Sequence, residues 1–256
     1  MGKKATLIYE LKNLKKVYNN NPILSIGRLQ IHRGTIYGIL GPIGSGKTAL
    51  LRMLAGHDSQ SEGDLLYDHS AFQRSWLGKI QTPDEICFSG QHKYNKSQIV
   101  KSYIDFCFPN RSRRILKQYF NGSVSKRILP LKIQNLSPGQ KAWLDTVFAL
   151  EQDPRVLIQD DFSMLFDSEM QSIARRGLRK MNKNLGTTII LSSINANSLR
   201  NLCSVMVYLE NGHIIKVRSG STRNQQNKKH TGSTRNQQNK KHTGSTRNQQ
   251  NKKHNR

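Results

Sequence analysis

The chain has 256 residues and a formal charge of +25, set by 41 lysines and arginines against 16 aspartates and glutamates. That length admits one sizeable α/β domain or two small ones. Three widely spaced cysteines exclude a disulfide framework, and no run of about 18 apolar residues exists to span a bilayer. The N-terminal stretch MGKKATLIYE lacks the apolar run of a signal peptide, so the expectation is a soluble chain or one peripheral to a membrane.

In chain order, residues 5–14, 23–32 and 35–40 read as strands, punctuated by Asn19 to Pro22 and by Arg33-Gly34. The pattern then turns helical, with Leu50, Leu51, Leu54 and Ala55 on one stripe and a stop at Gly56. Short strand and turn signals fill residues 64–92, and 97–120 read as helix broken at Pro109-Asn110. Helix resumes over 138–152, strand over 156–160, helix over 168–181 and strand over 187–191; residues 205–217 read as a hairpin turning at Asn211-Gly212. Alternating strands and helices with continuous apolar strands predict a largely parallel sheet covered on both faces.

From Gly220 the unit GSTRNQQNKKHT occurs at Gly220, Gly232 and, truncated, Gly244, without an acidic, aliphatic or aromatic residue. Such a stretch buries no core, and residues 220–256 are expected to be disordered. Ten of the lysines and arginines lie there, which leaves about +15 on residues 1–219. Positive charge of this size attracts nucleic acid, acidic phospholipid or nucleotide, and by itself does not choose among them.

Gly41-Pro42-Ile43-Gly44-Ser45-Gly46-Lys47-Thr48 fits GxxxxGK[ST] between a strand and a helix, the context a phosphate loop requires. Glycines let successive N–H groups point inward at phosphate oxygens, and the following helix adds the positive end of its dipole. Lys47 is the residue for the β- and γ-phosphates, Thr48 supplies a hydroxyl for magnesium, and Ala49 follows within the first helical turn.

Leu136-Ser137-Pro138-Gly139-Gln140 resembles the LSGGQ signature of ATP-binding cassette (ABC) proteins, and it opens a helix that precedes an apolar strand, Val156 to Gln159, ending in Asp160-Asp161. Tyr18, Gln91 in ICFSGQ and Asp167 stand in the order of further landmarks of that family, so the resemblance spans residues 7–217. It implies an α/β P-loop NTPase fold of the ABC ATPase type: a mostly parallel sheet, an N-terminal antiparallel β region, and a helical subdomain inserted at about 92–150 within a domain of residues 1–219. It also implies an ATPase that uses ATP and Mg2+. Tyr18 would stack on adenine, and Ser137, Gly139 and Gln140 would complete the γ-phosphate shell across a dimer. Asp160, Thr48 and Gln91 would serve magnesium, and Asp161, Gln91 and Lys47 the chemistry.

Four positions depart from the family pattern. The general base there is usually glutamate, and this chain has Asp161; a histidine is expected at about 194, and the chain has Ile194, which can neither donate a hydrogen bond nor carry a proton. Pro138 also replaces a signature glycine, and Trp143 stands where arginine is common. The expectation is firm nucleotide binding with weakened hydrolysis.

As partners, the resemblance implies a transmembrane permease on a separate chain and a second ABC subunit, in a homodimer or heterodimer, with cytoplasmic placement at the membrane through the permease. The segment 92–135, with ten basic residues against Asp105 alone, adds an anionic lipid contact. Two alternatives are a nucleotide-gated regulatory subunit without useful turnover and a soluble ABC ATPase acting on nucleic acid. The second is disfavoured, since its relatives carry two cassettes or a long coiled coil.

Overall fold

In the computed structural model, which describes residues 6–219, the apolar segments assemble into two sheets. The first is antiparallel, ordered β2-β1-β4-β5, from β1 (Leu7–Tyr18), β2 (Asn21–His32), β4 (Glu62–Tyr67) and β5 (Ser70–Ala71). The second has six strands, ordered β10-β9-β3-β8-β7-β6, from β3 (Ile36–Leu40), β6 (Ile86–Phe88), β7 (Val156–Gln159), β8 (Thr188–Ser193), β9 (Val205–Glu210) and β10 (His213–Ser219). All its neighbours run parallel except β9 with β10. The helices are α1 (Lys47–Leu54), α2 (Val100–Cys107), α3 (Ser112–Tyr119), α4 (Ser123–Lys126), α5 (Pro138–Glu151), α6 (Ser168–Leu185) and α7 (Ala196–Leu199), and a 3-10 turn covers Ile133–Asn135.

Three hairpins turn through two consecutive residues of positive φ: Asn19-Asn20, Asp68-His69 and Asn211-Gly212. Paired positive φ matches the right-handed twist of the flanking strands, and Asn, Asp and Gly tolerate it best. The first turn is shorter than the expected Asn19 to Pro22. Asn21 and Pro22 already pair with Tyr18 and Val17, which Pro22 can do because β2 is an edge strand and needs no second donor there.

The central strands of the six-stranded sheet, β3, β7 and β8, are buried on both faces, as their apolar runs predict, while β10 at the edge is exposed. In β7, Leu157 joins one core while Val156 and Ile158 join the other, and Ile189 and Ile190 in β8 divide in the same way. One core collects α2, α3, α5 and α6 through Ile104, Ile115, Trp143, Phe148 and Leu178. The other packs α1, through Leu50, Leu51 and Leu54, against the antiparallel sheet, through Ile8, Leu11, Ile26 and Leu65.

The break expected at Pro109-Asn110 separates α2 from α3, and α6 runs four residues past its expected end, to Gly186 at φ 72°. Among the described residues no helix is long and apolar enough to cross a membrane. The repeats expected to be disordered lie outside the described residues.

Candidate active site

The loop 41–48 leaves β3 at Leu40 and enters α1 at Lys47. Gly41 is pinned: a Cβ there would lie 2.1 Å from the Leu209 carbonyl oxygen and 2.6 Å from Ser45 Oγ. Only glycine lets the loop pass under β9 at this point. Ser45 is buried behind the loop, Pro42, Ile43 and Gly44 face outward, and Gly46, at φ 96°, caps a helix that has no side-chain cap. The first N–H groups of α1 are therefore left for a ligand.

Lys47 is 6 % exposed, and its ammonium donates to the carbonyls of Gly41 at 2.9 Å and Pro42 at 2.8 Å. These bonds hold the charge inside the curl of the loop, where phosphate oxygens would be neutralised. Beside it, Thr48 Oγ1 donates to Asp160 Oδ2 at 2.6 Å. Strand β7 delivers Asp160 here because β7 lies one strand away from β3 across β8.

The other Asp160 oxygen accepts from Ser192 Oγ and, at 3.1 Å, from the Asp161 N–H, and that N–H also donates to Ser192 Oγ at 2.9 Å. Ser192 thus fixes both acids from the end of β8. Sequence reasoning missed it, and also missed Asp58, which holds Tyr18.

Asp161 sits at φ 46°, a conformation that aspartate and asparagine tolerate better than glutamate. The local backbone thus explains the shorter acid. Partial burial raises its pKa above the ordinary carboxylate value, Asp160 adds to the rise, and Lys47 opposes both.

Tyr18 lines a cleft of about 350 Å3 together with Gly44, Gly46, Lys47, Thr48 and Ala49. Its hydroxyl donates to Asp58, and the Lys16 ammonium lies 4.5 Å from its ring centroid. Burial and the Asp58 carboxylate push the phenol up to about 12, so it stays neutral.

Gln91 follows β6 on an exposed turn and lines the next cleft with Arg52 and His57. Among the described residues its side chain is bonded to neither Thr48 nor Asp160; its N–H donates to the Phe88 carbonyl.

The signature residues form the start of α5. Ser137 Oγ accepts from the Gln140 N–H, and Gln140 Oε1 accepts from the Ser137 N–H, a reciprocal cap. Pro138 occupies the first helical position, where a missing N–H costs the helix nothing. Among the described residues no hydrogen bond joins Ser137, Gly139 or Gln140 to the loop 41–48, and Gly139 instead packs against the Leu165 carbonyl. Asp167 caps α6 by accepting from Met170 N–H at 2.7 Å, and Ile194 is 47 % exposed just before the α7 cap Asn195.

The oxygen donors fit magnesium, a hard cation that takes one or two protein oxygens and leaves other positions to phosphate and water. Among the described residues there is no group of three or more His, Cys, Asp or Glu side chains to hold a metal on its own.

The fold is similar to that of a dimeric bacterial ABC transporter cassette, with a TM-score of 0.67 and 21 % identity over 83 % of this chain and 98 % of that one. Methionine import ATP-binding protein MetN 1 of Bacillus cereus is 27 % identical over 222 residues, 81 % of this chain. The tungstate uptake system ATP-binding protein TupC of Peptoclostridium acidaminophilum is 26 % identical over 80 % of this chain and 95 % of its own length. The match spans 63 % of the length of MetN 1. The ABC transporter family pattern matches residues 24–163, from β2 through the phosphate loop, the α5 signature and Asp160-Asp161, and the chain belongs to the ABC transporter family.

Proposed function

We propose that this chain is the ATP-binding and ATP-hydrolysing subunit of a membrane transporter, working through ATP-driven pairing of two such domains. The observation that carries this reading is the contact of Thr48 with Asp160 beside the buried Lys47 ammonium. Lys47 would exchange its two carbonyl partners for β- and γ-phosphate oxygens, and the α1 N–H groups would take the remaining charge. Thr48 and Asp160 would hold Mg2+, with Gln91 joining them on closure of its turn; the ion would neutralise charge developing on the phosphates. Tyr18 would offer its ring to adenine at the mouth of the cleft.

Asp161 would take a proton from the attacking water, whose oxygen bonds to the γ-phosphorus as the bond to the β-phosphate oxygen breaks, leaving ADP and inorganic phosphate. Ser137, Gly139 and Gln140 do not reach this chain's own loop, which supports their service to the loop of a second subunit. The helical arm between Gln91 and the signature, residues 92–135, would dock a permease on a separate chain. Relatives carry names for import of methionine, tungstate and spermidine or putrescine, so cargo is a property of the partner chain.

A second reading, a nucleotide-gated subunit with little turnover, is favoured by Ile194, which leaves the expected histidine position without a polar group. Titration with ATP and Mg2+, light scattering for dimer, and phosphate release decide between them. Binding and dimer with turnover support the first reading, and binding and dimer without turnover the second. Absence of ATP binding, or binding unchanged in Lys47→Ala, overturns both.

A further inference from the structure

Between β5 and β6 the chain makes a small hairpin. Gln81 N–H donates to the Gln73 carbonyl and Ser75 N–H to the Lys79 carbonyl, both at 2.8 Å, and Arg74 bridges Ile80. Gly78 N–H closes the tip on the Ser75 carbonyl at 2.8 Å, with Gly78 at φ 75°, a conformation that lets the strand re-enter after a tight turn. Trp76 and Leu77 are the two central residues of that turn, 92 % and 72 % exposed. The hairpin closes through its backbone and needs neither side chain. Turns of this kind are ordinarily polar, so two large apolar groups here have no role in folding.

The flank of the hairpin is positive. Arg74 and Lys79 line a cleft of about 530 Å3 together with Arg52, His57 and Asp58. Its one carboxylate, Asp58, is already engaged by Lys16 and Tyr18. Among the described residues no ion pair engages Arg52, Arg74 or Lys79. Between His69 and Ile104 the acids are Asp84 and Glu85, and Glu85 is bonded to Tyr67 and Arg155. The same stretch carries Arg74, Lys79, Lys93, Lys96 and Lys101.

We propose that the Trp76-Leu77 tip is a membrane anchor that inserts into the headgroup region of a bilayer containing anionic phospholipid, with Arg74 and Lys79 facing the lipid phosphates. Tryptophan favours this boundary because its ring is apolar and its N–H is a donor. A groove on a partner protein would need acids only opposite the tip. Positive charge continues along the neighbouring chain instead, which matches an extended anionic surface. The anchor does not depend on nucleotide chemistry. It would hold the subunit against the bilayer beside its permease and orient the Gln91 turn, which lines the same cleft, toward that partner.

The test uses the full chain with vesicles of phosphatidylcholine, with and without phosphatidylglycerol. The chain has two tryptophans, and Trp143 is fully buried, so a change in emission reports on Trp76. Anionic vesicles should shift the emission to the blue and allow quenching by lipids brominated near the headgroup, and Trp76→Phe should abolish both signals. The double variant Trp76→Ser, Leu77→Ser should lose about tenfold or more in partition at physiological salt, through the apolar area it no longer buries. Its melting temperature and ATP affinity without vesicles should equal those of the parent.

Wild-type partition by the double variant would show that the basic tail adsorbs the chain by charge alone, and would overturn the proposal. So would an emission shift that appears only with a copurified membrane protein in neutral vesicles. Loss of ATP binding in the parent would count against the ATPase reading and leave the anchor standing.

Discussion

Thr48 reaches Asp160 across 2.6 Å although 112 positions separate them in sequence. The contact joins the first turn of α1 to the end of β7 and sets two oxygen donors side by side before any ligand arrives. Thr48→Val keeps the shape and removes one donor. ATP affinity in the presence of Mg2+ should fall by about tenfold or more, while affinity in EDTA stays near the parent value. Calorimetric titration under both conditions checks this, and an equal loss in EDTA would show that Thr48 acts on the phosphates and not through the metal.

Asp161 titrates above an ordinary carboxylate because burial and the neighbouring Asp160 both disfavour its charge. The acid limb of the turnover profile should therefore lie above the usual carboxylate value of about 3.9, and Asp161→Asn should abolish turnover. The sign for stability is the reverse of that for a salt-bridged acid. The folded chain binds the Asp161 proton more tightly than the unfolded chain, so this charge opposes folding at neutral pH, and the opposition fades as pH falls through the raised value. Asp161→Asn, which keeps a residue tolerant of φ 46°, should melt higher than the parent at about pH 7 and equal to it at about pH 3. A lower melting temperature at neutral pH would overturn this account.

The sequence was most readable where the chemistry is local. Residues 41–48 lie on eight consecutive positions, and the apolar run Val156 to Gln159 announces the acid that follows it. Ser192 was not readable as a site residue, because its place beside Asp160 depends on β7 and β8 pairing with Gln159 opposite Leu191. Asp58 was hidden for a similar reason: Lys16 and Tyr18 reach it only because β1 and β4 pair through Lys15 and Glu62. The first hairpin showed the opposite failure. Asn19 to Pro22 all look like turn formers, and only strand position decides that Pro22 belongs to an edge. Gln91 and the signature residues were legible as motifs, but the roles proposed for them require a closed or paired state that a single chain does not display.

Ile194 stands at the end of β8 next to Asn195, whose side chain already caps α7. With 47 % of its surface exposed, little packing is lost on substitution. Ile194→His should fold normally and raise phosphate release by about tenfold or more, since a donor at a developing charge is worth that much or greater. Measurement at saturating ATP separates the effect from binding. Unchanged turnover would mean that some other group already serves the γ-phosphate, and would remove Ile194 as a ground for expecting weakened hydrolysis.

Trp143, at the position where the resemblance leads to an arginine, is part of the core. It is fully buried, meets Phe166 edge-on at 5.6 Å between centroids, and its indole N–H has no partner among the described residues. An unpaired buried donor is a cost the ring area outweighs. Trp143→Phe removes the orphan donor together with part of the ring, so the two effects oppose and the net change should be within about 1.5 kcal/mol. Trp143→Arg places a guanidinium among buried apolar side chains and should cost about 3 kcal/mol or more, because the charge is taken out of water there. Urea unfolding of the two variants gives the comparison directly. An arginine variant as stable as the phenylalanine one would mean that the α5 core opens to solvent at this position.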